Sequence, residues 1–161
     1  MKFCIRTFLF PTLTASAFVA FSPQPESNIL PGLPFLNEIF KVVEHPNERG
    51  AVVLEAPVGQ DGVNMYIAID VDSYGPHIDR PGNGGIRLLK YLNSKDAIDD
   101  AVRLAKGMTR KHDMFRTGFA GAKVVVQSSH DDLSNIERQG LMRDAANALD
   151  ALQGRMYTGC E

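Results

Sequence analysis

Apolar positions change their spacing several times along the chain, and each change marks an element. In "PFLNEIFKVVEH", Phe35, Leu36, Ile39, Phe40 and Val43 recur at helical spacing until Pro46 stops the pattern, which predicts a helix. "GAVVLEAPVGQDGVNMYIAID" predicts two strands, Val52 to Ala56 and Asn64 to Asp70, with Asp61-Gly62 as the turn between them. "SYGPHIDRPGNGG" reads as a loop, with Pro76, Pro81 and four glycines from Gly75 to Gly85, and "IRLLKYL" as a short strand. Ser94 can cap the next helix, with Asp96 in its first turn. Ala97, Ala101, Leu104, Ala105 and Met108 share one face of that helix, and Lys111 stands at its end. The glycine-rich "TGFAGAK" then reads as a turn with Lys123 at its mouth, entering the strand "KVVVQ". The last helix runs roughly from Asp132 to Gln153, with Leu133, Ile136, Leu141, Ala145, Ala148, Leu149 and Leu152 facing a core and Gly154 as the residue that ends it.

This order, helix, three strands, helix, strand, helix, predicts an α/β domain: a mixed sheet with flanking helices and at least one strand–helix–strand crossover. No G-x-x-x-x-G-K-[ST] is present, and no G-x-G-x-x-G opens a helix. "GNGG" precedes a strand, so it is not a nucleotide fingerprint, and no Rossmann domain is expected in this chain.

Residues 1–17 follow a different grammar. Lys2 and Arg6 precede an apolar stretch and the small triplet Ala15-Ser16-Ala17, and no acidic residue occurs before Glu26. That is the pattern of a signal peptide cut after Ala17. Residues 18–34, with Pro23, Pro25, Pro31 and Pro34, form a transit segment or linker, which leaves 35–161 as the folded domain. The context "ASAFVAFSP", with Phe18 after the cut, resembles the bipartite presequences of algae with secondary plastids. The expected destination is a plastid, with plain secretion and a mitochondrial presequence poor in arginine as the alternatives.

Composition narrows the function classes. A chain of 161 residues, 44% hydrophobic and 22% charged, suits one globular domain. Its formal charge is −2, and taking Lys2 and Arg6 from the 17 basic residues leaves 15 against 19 acidic, or −4. That balance argues against a nucleic-acid partner. After the presequence no apolar run is long enough to span a membrane. The two cysteines, Cys4 and Cys160, cannot supply a disulfide framework once Cys4 is removed with the presequence.

Most candidate chemistry falls away on spacing. His45, His77, His112 and His130 are scattered, and none pairs with another at metal-ligand spacing, so no metal is expected. There is no G-x-S-x-G elbow, and Ser128-Ser129-His130 are neighbours in sequence, which gives no triad geometry. Cys160 lies next to the last residue without a built pocket in view. Lys111 and Lys123 remain. Lysine is a poor base at its reference pKa of about 10.4. Burial and a second cation nearby both disfavour the ammonium. Lys123 meets both conditions if Lys111 folds back across the glycine loop, and could then act as a general base. Lys111 would hold an anionic group such as a carboxylate. The plain reading is that Lys111 is a cation favoured by the helix dipole and that Lys123 guards an edge strand. Physical reasoning alone leaves the two open.

"GGIRLLKY" at 84–91, "AIDDAVRLAKGMTRK" at 97–111 and "GAKVVV" at 121–126 resemble the N-terminal substrate and dimerisation domain of the glutamate/leucine/phenylalanine/valine dehydrogenases. "YIAIDVDSYGP" and "LQGRMYTGCE" fit the same order, and the two lysines keep the family spacing of twelve. The resemblance covers roughly residue 35 to the end. It implies that Gly84 and Gly85 are the glycine pair beside the substrate, that Met108 lines the pocket and that Lys111 binds the substrate α-carboxylate. It implies that Lys123 is the catalytic lysine, assisting water attack on the imino acid, and that Glu161 stands where the family has a catalytic aspartate.

The sequence also departs from the family. Ala120-Gly121 replaces a glycine pair before the catalytic lysine, "HDMFRTGF" is bulkier than the usual run between the lysines, and Glu161 is one methylene longer than aspartate. The family's second, Rossmann-type domain, which binds NAD or NADP, is not among these residues, so no cofactor-binding residue is expected here. The resemblance therefore implies NAD(P)-linked oxidative deamination of an L-amino acid to a 2-oxo acid, represented by its substrate and dimerisation domain and incomplete in this chain. The alternative is a stand-alone, non-catalytic dimerisation or amino/oxo-acid-binding module. Either way the expected partners are a small amino or 2-oxo acid and further copies of the chain.

Overall fold

The computed structural model describes residues 39–44, 50–59, 63–70, 80–128 and 132–159. The presequence and linker, the first residues of the first expected helix, the Asp61-Gly62 turn, His45, His77, His130, both cysteines and Glu161 lie outside the described residues.

The elements, in chain order, are β1 (Lys41–Glu44), β2 (Ala51–Pro57), β3 (Asn64–Asp70), β4 (Gly82–Gly84), β5 (Ile86–Lys90), α1 (Ser94–Phe115), β6 (Ala120–Ser128), α2 (Asn135–Asp150) and β7 (Met156–Thr158). β1, β2, β3 and β6 pair antiparallel in that order. On its other side β6 takes β4 and then β5, both parallel, and β7 adds parallel to β4. The β5–α1–β6 segment is therefore a parallel crossover.

The sheet is covered on both faces, which is why β6 reads as the nearly unbroken apolar run "AGAKVVVQS". Val52, Leu54, Ile67, Val124 and Val126 point to one face and pack with Leu141 and Ala145 of α2 and with Leu152. Val53, Tyr66, Ala68 and Val125 point to the other and meet Ala97, Ala101, Val102 and Ala105 of α1. Alanine every fourth residue gives α1 a flat stripe that can approach the sheet closely.

Local chemistry sets the helix ends. Asn93, not Ser94, caps α1: its side chain accepts the Asp96 N–H at 2.9 Å. At the other end Arg116 adopts the left-handed conformation and Gly118 follows at φ 81°. α2 begins with a capping box between Ser134 and Glu137.

Three further expectations are corrected. Lys41–Glu44 is strand, not the end of a helix, because Val42 and Val43 suit an edge-strand pairing with β2. α1 continues four residues past Lys111, to Phe115. The glycine "turn" before Lys123 is strand: β6 starts at Ala120, so Lys123 lies inside β6 with neighbours on both sides. It is not an edge-strand residue, which removes the gatekeeper reading.

Candidate functional site

Lys123 pairs with Ala68 of β3 and points, half-buried, to the α1 face of the sheet. The two residues flanking it, Ala122 and Val124, are buried in the opposite core. Gly84 ends β4 and Gly85 forms the break before β5, directly beside it. A methyl group built on Gly85 would lie 3.0 Å from Lys123 Nζ, so glycine here lets the ammonium approach the backbone. A methyl on Gly84 would instead overlap the carbonyl oxygen of Ala122, so Gly84 is required for β4 to lie against β6. The Val124 N–H donates to Gly85 O at 3.1 Å and locks this register.

α1 brings the other residues. Met108 is half-buried and Lys111 exposed; three positions apart, they share a stripe of the helix surface. Glu161 lies outside the described residues, but the segment leading to it reaches the glycine pair. Thr158 pairs with Gly84, and the Gly159 N–H donates to Gly84 O at 3.1 Å. Of the six expected site residues, the structure thus gathers Gly84, Gly85 and Lys123, and sets Met108 and Lys111 together on the helix that covers Lys123's face of the sheet.

Three polar residues here escaped sequence reasoning. Asp70 and Thr109 are each 2% exposed and His112 8%. Thr109 Oγ1 donates to Asp70 Oδ2 at 2.5 Å and accepts the Gly121 N–H at 3.2 Å. His112 Nε2 lies 3.1 Å from Asn83 O, a carbonyl that only accepts, so Nε2 carries a proton; Nδ1 is 2.8 Å from Thr117 Oγ1. The available signal was the stripe Ala97, Ala101, Ala105, Thr109, His112, which continues the buried face of α1. At Leu104 and Met108 the same helix is only half-buried.

A second charged cluster lies at the start of α1. Asp100 accepts from Arg87 Nη1 and from the Tyr91 hydroxyl, each at 2.7 Å, and pairs with Arg103. Burial pushes the Tyr91 hydroxyl up to about 12, and its bond to the Asp100 carboxylate adds to this. Burial alone would raise the Asp100 carboxyl, but hydrogen bonds from Tyr91, Arg103 and Arg87 outweigh it and hold it below the ordinary carboxylate range. This cluster ties β5 to α1 and so supports the site without entering it.

Among the described residues no three His, Cys, Asp or Glu side chains converge to hold a metal. Asn93 and Ser134 side chains occupy the N-termini of α1 and α2, and neither is preceded by a glycine-rich loop. The described residues therefore do not fit a dinucleotide.

Comparison with known proteins places this geometry. Residues 57–157 match a family model described as "Glu/Leu/Phe/Val dehydrogenase, dimerisation domain". The chain is 27% identical to phenylalanine dehydrogenase from Thermoactinomyces intermedius over 126 residues, 78% of this chain and 32% of that protein. It is 31% identical to leucine dehydrogenase from Bacillus subtilis (strain 168) over 121 residues, 75% of this chain and 30% of the relative. The crystal structure of L-tryptophan dehydrogenase from Nostoc punctiforme matches with a TM-score of 0.57 at 29% identity, covering 72% of this chain and 32% of that one. The chain thus spans about a third of the length of the relatives it matches. It belongs to the Glu/Leu/Phe/Val dehydrogenase family, in the part that carries the dimerisation domain.

Proposed function

We propose that this domain binds the amino acid, or the corresponding 2-oxo acid, of an amino-acid dehydrogenase that carries out NAD(P)-linked oxidative deamination. Lys111 holds the α-carboxylate as a charge-assisted partner. Met108 lines the pocket, and Gly84 and Gly85 let backbone approach the bound acid. Lys123 takes a proton from the water that adds to the imino carbon, and the Glu161 carboxylate moves a proton to and from the amino nitrogen. The hydride acceptor, NAD or NADP, needs a dinucleotide site that the described residues do not offer, so the residues of this chain handle the acid, the water and the protons.

The observation that carries the reading is the close approach of Lys123 Nζ to Gly85, where an added methyl would lie only 3.0 Å from the ammonium. Glycine at this position lets the ammonium lie against the backbone beside the expected acid site. Calorimetric titration of the chain with 2-oxo-4-methylpentanoate and 2-oxo-3-phenylpropanoate tests it. Binding is expected, and Lys111→Ala should weaken it at least tenfold. Binding that survives both Lys111→Ala and Lys123→Ala would refute the assignment. The alternative reading, a binding module without turnover, shares the acid site and differs in reducing no NAD.

The family's dimerisation domain supports a homo-oligomer, and sedimentation as a monomer at micromolar concentration would count against it. Residues 1–34 support plastid import, with the secretory pathway and mitochondria as alternatives. A fluorescent fusion of that segment separates the three.

A further inference from the structure

We propose that Asp70 and Thr109 are positioning residues: a buried clamp that fixes the helix bearing Met108 and Lys111 against the strand bearing Lys123. The clamp rests on the acid-binding role given to those lysines above.

Buried polar side chains are few among the described residues: Asp70, Thr109, His112 and Ser128. Two of them lie in the last two turns of α1, and a third is bonded to Thr109. The buried residues of the first three turns of α1 are the apolar Ala97, Ala101, Val102 and Ala105, with the Asp100 cluster at their less buried margin. The fully buried contact thus changes from apolar to polar where the helix reaches Lys111. A buried hydrogen bond adds little net stability, but leaving one unmade is costly, so such bonds select one arrangement rather than strengthen many.

The Thr109 hydroxyl has one proton and gives it to Asp70 on β3. It also accepts the Gly121 N–H on β6. One oxygen therefore joins three elements. It sits two residues before Lys111 and two β6 residues from Lys123. Gly121 makes the approach possible, because a methyl there would overlap Ala105 O and the backbone nitrogen and hydroxyl of Thr109. Asp70 shares Lys123's face of the sheet, since Ala68, two residues earlier on β3, pairs with Lys123. A slip of α1 by a single residue would carry Lys111 about 1.5 Å along the helix axis and swing it by about 100°.

The test uses the whole chain with two readouts: affinity for 2-oxo-4-methylpentanoate, and the NMR resonances of carbon-13-labelled lysine side chains. Thr109→Val should weaken binding at least tenfold and shift the Lys111 and Lys123 signals, with Lys41 and Lys90 unmoved. Thr109→Ser, which keeps the hydroxyl, should restore both. Asp70→Val should match Thr109→Val, and the double variant should be no worse than either single, because both remove the same clamp. If the valine variants do not fold, Thr109→Ala and Asp70→Ala replace them. Unchanged affinity and unchanged lysine signals in a folded variant, or losses that add in the double variant, would overturn the proposal. If the wild-type chain binds no 2-oxo acid, the acid-binding reading fails. The clamp is then decided by the lysine signals alone.

Discussion

The two adjacent glycines beside Lys123 should respond to alanine in opposite ways. At Gly84 the new methyl would sit 1.7 Å from the carbonyl oxygen of Ala122. Non-bonded heavy atoms rest at roughly 3.5 Å, so β4 and β6 would have to part by well over about 1 Å. Both are backbone, and neither can rotate away as a side chain can. The parting strains the Val124 N–H bond to Gly85 O and the Gly159 N–H bond to Gly84 O. Two such bonds are worth about 1–3 kcal/mol net, and overpacking of this kind costs typically about 1–3 kcal/mol. Gly84→Ala should therefore lose about 2–6 kcal/mol, a large part of a typical stability of about 5–15 kcal/mol. At Gly85 the only near atom is Lys123 Nζ at 3.0 Å, the mobile tip of a long side chain. Neither glycine is at positive φ, so alanine meets no backbone strain at either. Gly85→Ala should change stability by less than about 1 kcal/mol, with reduced unfolded-state freedom working in its favour.

Urea unfolding and calorimetric titration with 2-oxo-4-methylpentanoate separate the two effects. Gly84→Ala should show a lowered midpoint. Gly85→Ala should keep the wild-type midpoint and lose at least tenfold in affinity, because its methyl crowds the ammonium. Equal stability losses at both positions would refute the division between a packing glycine and a site glycine. So would a Gly84→Ala protein with the wild-type midpoint.

The Tyr91–Asp100 cluster predicts pH dependence at both extremes. Tyr91 titrates near about 12 in the folded chain, above the value near 10 of a free tyrosine. Its contribution is thus full below about pH 10 and lost as pH rises through about 12; ultraviolet absorbance should show one late-ionising tyrosine that Tyr91→Phe removes. The Asp100 carboxyl is lowered, so its contribution is present above about pH 4 and lost as pH falls through the depressed value. Asp100→Asn should lower stability at neutral pH and flatten its acid decline in urea titrations. In α1, Gly107 is exposed, and a methyl there would have no atom within 4 Å. Gly107→Ala should raise stability by about 0.5–1 kcal/mol, and a loss instead would mean that another surface covers this side of the helix.

Periodic segments were legible in the sequence and short ones were not. β3 spans Asn64–Asp70, as its β-rich run predicts, and the inward stripe of α1 was visible at Ala97, Ala101 and Ala105. β4 and β7 have three residues each, too few for a period to register, and β4 lies within what reads as a glycine-rich loop. Their pairings come from partners far away in the chain, which no local window contains. The same limit hid the clamp. Asp70 closes a clear strand and Thr109 continues a clear helix face, yet only the β3–β6 register and the packing of α1 bring them together. The lysine pair stood out from its place around the glycine-rich stretch, and a resemblance gave it a role and named the glycine pair. Their surroundings could not be named in advance.

The meaning of the glycines changes most. Among the described residues the glycines at positive φ are Gly50, Gly59, Gly118 and Gly154, and all four lie outside the strands. Gly84, Gly85 and Gly121 adopt backbone that any residue can adopt. They are glycine for want of a Cβ, not for the sake of a turn. Gly84 admits β4 to β6, Gly121 admits α1 to β6, and Gly85 admits the Lys123 ammonium. Two of these close approaches converge on the strand that carries Lys123, immediately before it. Its Cα is therefore placed by packed backbone on either side, with its ammonium lying against Gly85. Such fixing of the backbone is what precise placement of a functional side chain needs, since an error of about 1 Å in a reacting group can cost on the order of 100-fold in rate. Of the bulk that this sequence carries between its lysines, "HDMFRTGF", residues 113–118 are exposed at the end of α1 and in the turn after it, whereas His112 is buried against the Asn83 carbonyl next to Gly84.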